Sequence, residues 1–170
     1  MMKPALIGLG LVAFSVPAVA AGPTDPQIAH IAYTAGNIDI AAAKQALAKS
    51  HNKAVRSFAQ EMVRDHKAVN DKAVALVKKL HVTPEDNATS AGLSKAAAAT
   101  LKRLSHLHGR AFDRAYAQNE VAYHRTVNGA LSTTLIASAN NGELKSLLQT
   151  GLTLFQAHQA HAEHLAKGLK

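Results

Sequence analysis

The sequence predicts an all-α protein, and three observations lead to that prediction. The chain is rich in alanine, leucine, lysine and glutamine, has no tryptophan or cysteine and contains few aromatic residues, which is a helix-forming composition. Proline occurs only near the N-terminus and at Pro84, so long stretches are free to be helical. Apolar residues also recur at the helical period in four long segments.

The first two helices are predicted to form a hairpin. Residues 24–50 make the first helix, with Thr24 or Asp25 as its cap and Pro26 in its first turn. Asn52 can cap a second helix over residues 53–80.

The second half of the chain begins with a polar connection at 81–92, which contains Pro84 and Gly92. A short helix is predicted at about 93–106, and Gly109 marks a break. A third long helix covers about 110–139. The tight turn Asn140-Asn141-Gly142 then leads into a last helix at about 143–168.

The lengths of the connections predict the architecture. Tight turns follow the first and third long helices, and a long link joins the second to the third. We therefore expect a ferritin-like up-down four-helix bundle, with the short extra helix in the crossover between helices 2 and 3.

The N-terminus has the anatomy of a bacterial signal peptide. Lys3 precedes an apolar run at 5–16, and Ala18-Val19-Ala20 forms a small-x-small cleavage site. We expect cleavage after Ala20, a bundle domain over 21–170, and a periplasmic or secreted location. The apolar run is too short to be a good membrane span, and no other segment approaches that length. The mature chain is therefore expected to have no transmembrane span.

The charge balance limits the class of partner. The formal net charge is +8, but the basic residues are scattered along polar helix faces, which is typical of a solvated surface. Together with export, this argues against nucleic-acid binding. A weak association with acidic envelope polymers or lipid stays open. Because cysteine is absent, any metal must be held by imidazole and carboxylate groups.

Four polar residues are the most informative feature of the chain. Asp39, His66, His124 and His158 each interrupt the apolar stripe of a different helix, about 13 to 16 residues from its start. Helices of similar length packed side by side bring their midpoints to one level. Since a buried ionisable group is costly unless it is paired or metal-bound, these residues predict a polar centre inside the bundle.

Neighbouring carboxylates extend this centre. Glu120 lies one turn before His124 and can share an ion with it. Asp65 adjoins His66, whereas Glu61 is five residues before His66 and is expected to point away from it. Imidazole with carboxylate suits one transition-metal ion such as Zn, Cu or Fe.

In the leading hypothesis, the protein binds this ion as part of a role in metal handling or in the response to envelope stress. The three histidines are ligands and Glu120 is a ligand or their partner. Asp39 and Asp65 orient the imidazoles.

Alternative interpretations remain open. The same groups could form a metal-free hydrogen-bonded network in a structural or interaction module of the envelope. His161 could be core or surface, and Asp113 is expected to cap the third long helix or to fix the fold rather than to bind metal. Tyr116 and Tyr123 are expected to be packing residues. The remaining histidines expected on the surface are His30, His51, His81, His106, His108 and His164.

No nucleophilic triad, phosphate-binding loop or dinucleotide fingerprint is recognisable, so the sequence gives no positive sign of an enzyme. A di-metal oxidoreductase is the third interpretation, and the full Glu-x-x-His pair that it needs is missing.

Three runs resemble a bacterial family catalogued as domain of unknown function 4142. Residues 58–66 (FAQEMVRDH) look like its FAxxMVxDH segment. Residues 109–116 (GRAFDRAY) with His124 look like its GxxFDxxY…H segment. Residues 152–158 look like its LPxLxxH segment, with Thr153 in place of proline.

The resemblance implies an exported, ferritin-like four-helix protein of the envelope with no settled activity. At the position of Asp39 the family more often has glutamate. The resemblance implies that the motif positions are Asp65, His66, Phe112, Asp113, Tyr116, His124 and His158.

Overall fold

The computed structural model describes residues 22–169 and is all-helical over that range, without strands. The predicted signal peptide lies outside the described residues. The helices are α1 (Asp25–Lys49), α2 (Lys53–Lys79), α3 (Ala88–Ser105), α4 (Gly109–Ala130) and α5 (Gly142–Gly168). The prediction of an all-α protein is confirmed.

Local hydrogen bonds explain where the long helices begin. The Asn52 side chain accepts hydrogen bonds from the backbone amides of Ala54 and Val55 and so caps the start of α2. Asn141 caps α5 in the same way through the amides of Glu143 and Leu144. These asparagines satisfy amides that have no partner inside the helix, so the sequence placed both starts correctly to within a residue.

The prediction for the start of α3 was wrong. The helix begins at Ala88 rather than near residue 93, so Gly92 lies inside it. The reason is a reciprocal cap: the Asn87 side chain accepts the Ser90 amide at 3.0 Å, and Ser90 Oγ accepts the Asn87 amide at 3.3 Å. This cap favours the earlier start, and a glycine inside a helix costs only about 1 kcal/mol.

The predicted third long helix begins at a glycine in the left-handed conformation and is interrupted near its end. Gly109, the first residue of α4, has a φ of +52°, a left-handed conformation that glycine adopts without steric cost and that separates α3 from α4. After Ala130 the chain makes a wider π-helical turn (Leu131–Leu135) and one last α-helical turn (Ile136–Ser138). The π-helical turn buries both Leu131 and Leu135.

The long helices pack around a common interior. Helix α1 packs along α2 and α4 packs along α5, while α2 also contacts α5 and α1 contacts α4. Helix α3, which lies in the long link, rests mainly on α1.

Two apolar clusters fill the ends of this interior, one around Phe58 and Phe112 and the other around Ile28, Leu135 and Leu148. Along each long helix the buried ionisable groups fall between the two clusters, close to the level at which the sequence predicted a polar centre. Among the described residues, no helix has both the length and the apolar character that crossing a bilayer requires.

Candidate metal centre

The predicted polar residues do come together inside the protein. Asp39, His66, Glu120, His124 and His158 are each at most 3% exposed. They come from all four long helices, so the packing of those helices determines their spacing.

Three imidazoles form the middle of the centre. The ring centroids of His66, His124 and His158 are 5.4 to 5.6 Å apart, which makes an almost equilateral triangle. Each ring offers a nitrogen within 4.8 Å of the others. The Phe155 ring stacks on His66 at 4.6 Å with an interplanar angle of 8° and fixes the plane of that imidazole.

Asp39 faces two of these rings at once. Its Oδ2 lies 3.5 Å from Nε2 of His66 and 3.5 Å from Nε2 of His124. An N–H···O hydrogen bond is about 2.7 to 3.2 Å long, and none of these three atoms has a hydrogen-bond partner. The 3.5 Å distances are instead close to the separation of two ligands on one tetrahedral zinc ion, which is about 3.4 Å when each ligand is about 2.1 Å from the ion.

The two nitrogens of His124 have different environments. Nδ1 lies 3.0 Å from the backbone carbonyl oxygen of Glu120. A carbonyl can only accept, so Nδ1 carries the proton and donates it. Nε2, which faces Asp39, therefore keeps its lone pair, as in a metal-binding histidine whose other nitrogen donates to a carbonyl.

His158 has a similar asymmetry. Its Nε2 lies 3.1 Å from Oδ2 of Asp65, while its buried Nδ1 has no hydrogen-bond partner. Asp65 also bonds to the Arg64 guanidinium at 2.7 Å. Burial tends to raise the pKa of Asp65, but the hydrogen bonds from Arg64 and His158 outweigh it and lower that pKa. The Asp65 carboxylate is therefore ionised and accepts the Nε2 proton, which leaves the lone pair on Nδ1.

Burial also keeps the imidazoles neutral. It lowers the pKa of His66 to about 2, with additional repulsion from His124 and His158. It lowers the pKa of His124 to about 4 and that of His158 in the same direction. Neutral imidazole is the form that binds metal.

A second group of donors lies beside the imidazoles. Asp39, Glu120 and His124 each offer an atom within 4.8 Å of the others. Burial raises the pKa of Asp39 to about 7 and raises that of Glu120 as well, where the Asp39 charge adds to the effect. The Tyr116 hydroxyl is buried without a hydrogen-bond partner, whereas Tyr123 donates to the Ala35 carbonyl at 2.8 Å.

A third group of donors extends toward the surface. Glu61, Asp65 and His158 offer donor atoms within 4.8 Å of one another, so Glu61, which shares no donor set with His66, adjoins the edge of the centre instead. Glu61 lies one turn before Asp65, which places both carboxylates on one face of α2. His161, half exposed, places Nδ1 2.8 Å from Oε2 of Glu61.

An apolar cavity of about 180 Å³ borders the centre on its other side. His66 and His124 contribute to its wall, and most of the remaining wall is aliphatic, including Leu131 and Leu135 of the π-helical turn. The apolar stripe of α2 beyond His66 lines this cavity and is only partly buried.

Asp113 does not cap α4, because the helix begins at Gly109; it lies buried in the second turn, which leaves the other expected role, fixing the fold. Phe112 and Tyr116 are fully buried and stacked, with centroids 6.1 Å apart.

Among the histidines expected on the surface, His30 is half-buried, with its Nε2 3.1 Å from Oδ1 of Asp86. The other histidines expected on the surface are exposed, namely His51, His81, His106, His108 and His164.

One comparison with known proteins gives a match. A family model described as "Domain of unknown function (DUF4142)" matches residues 13–165. No curated protein and no solved structure matches the chain significantly.

Proposed function

The chain belongs to this family of unknown function, and we propose from the geometry of its polar centre that it binds one transition-metal ion between its long helices. Zn²⁺, Cu²⁺ and Fe²⁺ are the candidate ions, because imidazole and carboxylate donors without sulfur suit these metals.

The observation that supports the proposal most strongly is the position of the Asp39 carboxylate. Its Oδ2 is 3.5 Å from Nε2 of both His66 and His124. This spacing is too long for hydrogen bonds but close to the separation of two ligands on one tetrahedral ion.

Unsatisfied polar atoms around the same point add support. Apart from the Asp39 and Glu120 carboxyl groups, which can share one hydrogen bond, those in the described chain include both ring nitrogens of His66, Nε2 of His124 and Nδ1 of His158. A buried polar atom without a partner costs about 1–3 kcal/mol. A cation that accepts several lone pairs at once removes much of this cost.

Each residue has a distinct role in the proposed site. His66, His124 and Asp39 would bind the ion directly, and His158 would complete the set through Nδ1. Asp65 and the Glu120 carbonyl would orient the imidazoles by accepting their ring protons. The Glu120 carboxylate adjoins both Asp39 and His124 and would supply a further ligand or hold Asp39 in place.

The test uses untagged protein that has been washed with a chelator, because a histidine tag would itself bind metal. We expect about one equivalent of Zn²⁺ to be taken up. The melting temperature should rise by about 5 °C or more when free zinc is 100-fold above Kd. His66→Ala should abolish both effects, whereas His164→Ala, a change at an exposed histidine, should leave them intact.

The alternative function makes the opposite prediction. If micromolar Zn²⁺, Cu²⁺ and Fe²⁺ all fail to bind, the buried groups are a metal-free polar network. The protein is then a structural or interaction module of the envelope, with its basic surface meeting acidic lipid or cell-wall polymer.

We also propose that the chain is exported and that its helices adopt the ferritin-like arrangement. The signal-peptide pattern at residues 1–20 supports export. The pairing of α1 with α2 and of α4 with α5, with α3 in the long link, supports the topology. N-terminal sequencing of the periplasmic fraction should give Ala21 as the first residue, and an experimental structure tests the topology directly.

A further inference from the structure

We propose that Glu61, Asp65, His158 and His161 form an entry site, which takes a divalent transition-metal ion from solvent and passes it to the buried centre. The inference rests on the proposed function, because it gives a route to an ion that the buried centre would hold.

The burial of these side chains changes in a regular order. His158 is 1% exposed, Asp65 17%, Glu61 30% and His161 44%. The row therefore begins in the interior, beside His66 and His124, and ends in solvent. The other carboxylates of the centre, Asp39 and Glu120, are fully buried and cannot meet an incoming ion.

The donors are close enough to pass an ion from one set to the next. Glu61, Asp65 and His158 lie within 4.8 Å of one another at their donor atoms, and His158 also belongs to the set with His66 and His124. Moving a bare ion into an apolar interior is very costly. His158 lies between the two sets, so an ion held by the Glu61 and Asp65 carboxylates can pass to its unprotonated Nδ1 and keep carboxylate or imidazole contacts throughout.

The helix register keeps the four residues in line. Glu61 and Asp65 are one turn apart on α2, His158 and His161 are three residues apart on α5, and these helices pack together. Residues at such spacings share a helix face. The Phe58 ring packs edge-on against His161 with centroids 5.0 Å apart, which holds this imidazole beside Glu61.

Arg64 is the group that an entering ion must displace. Its guanidinium bonds to Asp65 at 2.7 Å, and its side chain is 69% exposed. Because exposed ion pairs contribute little to stability, Arg64 can swing into solvent when a divalent cation competes for the carboxylate.

The experiment measures zinc uptake by stopped flow, with untagged, chelator-washed full-length mature protein and a chromophoric chelator that reports free Zn²⁺. We expect the double variant Glu61→Gln/His161→Gln to load zinc about tenfold more slowly, with Kd within about twofold of wild type. Since the equilibrium is unchanged, stripping of zinc by excess chelator should slow by the same factor. The matched control Glu163→Gln/His164→Gln removes the same groups from α5 outside the row and should load at the wild-type rate.

Two outcomes would overturn the entry site. Wild-type loading kinetics in the double variant would show that ions enter elsewhere. A Kd that weakens as much as loading slows would make these residues equilibrium ligands rather than a route. If the wild type itself takes up no zinc, the buried-centre proposal fails and the entry site with it. Circular dichroism checks the fold of the double variant, and the single change Glu61→Gln replaces it if helix content falls.

Discussion

Oδ2 of Asp39 and Nε2 of His66 lie 3.5 Å apart with both side chains buried, which is the geometry of an ion pair. Burial raises the pKa of Asp39 to about 7 and lowers that of His66 to about 2. Below neutral pH the metal-free pair is therefore uncharged, and it lacks the attraction that stabilises an ion pair. A divalent cation between the two atoms would favour both the ionised carboxylate and the neutral imidazole.

Asp39→Asn should stabilise the metal-free protein at pH 8. The folded state keeps the Asp39 proton up to about pH 7, whereas the unfolded state releases it near pH 3.8 to 3.9. The unfolded state thus binds fewer protons between these values, and stability falls as the pH rises through that window. We expect the variant to match wild type within about 1 kcal/mol at pH 4 and to exceed it by about 2–4 kcal/mol at pH 8.

Urea unfolding of chelator-washed protein at the two pH values checks this prediction. Asp71→Asn, on the exposed face of α2, is the control, and it should show no such pH-dependent difference. Saturating zinc should reverse the order at pH 8, because asparagine offers no anionic ligand. An Asp39→Asn protein that is less stable than wild type at pH 8 without metal would contradict the assignment of a costly buried carboxylate.

Asp65→Asn should weaken zinc binding by about 10–100-fold while the helices remain folded. The Asp65 carboxylate accepts the Nε2 proton of His158 at 3.1 Å and so directs the lone pair of that ring to buried Nδ1. Asparagine can present its amide NH₂ instead and favour the opposite tautomer. Isothermal titration with Zn²⁺ measures the effect, with Asp71→Asn as the control, and unchanged affinity would mean that His158 does not bind through Nδ1.

The sequence predicted the level of the polar centre because helix midpoints align when similar helices pack side by side. It also predicted the start of α2 from the Asn52 cap and that of α5 from the turn signal at Asn140-Asn141-Gly142; in the structure, Asn52 and Asn141 both cap through adjacent amides. It could not predict contacts that depend on the rotation of one helix against another. The stacking of Phe155 on His66 joins two helices.

The sequence alone did not reveal the role of Glu61, because two of its partners lie on α5, and their proximity depends on how α2 packs against that helix. The one-turn spacing between Glu61 and Asp65 is present in the sequence and could have been recognised.

Gly36→Ala should destabilise the protein by about 1–3 kcal/mol. A Cβ at Gly36 would overlap the side-chain amide of Asn70. That amide is also held by Oδ1 of Asn37 at 3.0 Å, so it cannot move away freely. The close approach of α1 to α2 therefore depends on this glycine.

Thermal unfolding of Gly36→Ala and of the control Gly92→Ala separates this contact from helix propensity. Nothing lies within 4 Å of a Cβ at Gly92, in the second turn of α3, so alanine there should stabilise by about 0.5–1 kcal/mol. Equal stabilisation by both changes would show that α1 and α2 have room to accommodate the methyl group.

Acid should destabilise the metal-free protein through His66. Its pKa falls from an unfolded value of 6.5 to about 2 in the folded state, so below pH 6.5 the unfolded chain binds a proton that the folded chain excludes. Stability from this residue is therefore constant above pH 6.5 and is lost as the pH falls toward 2. Each pH unit costs about 1.4 kcal/mol, which gives a loss of about 2–3 kcal/mol between pH 7 and pH 4.5.

The variant His66→Gln removes this titration, so the difference in stability between variant and wild type should shift in favour of the variant by that amount on acidification. The opposing protonation of Asp39 and Glu120 is present in both proteins and largely cancels in the comparison. Urea unfolding at both pH values, with His164→Gln as the exposed control, measures the shift. A gap that does not change with pH would place the His66 ring in contact with water.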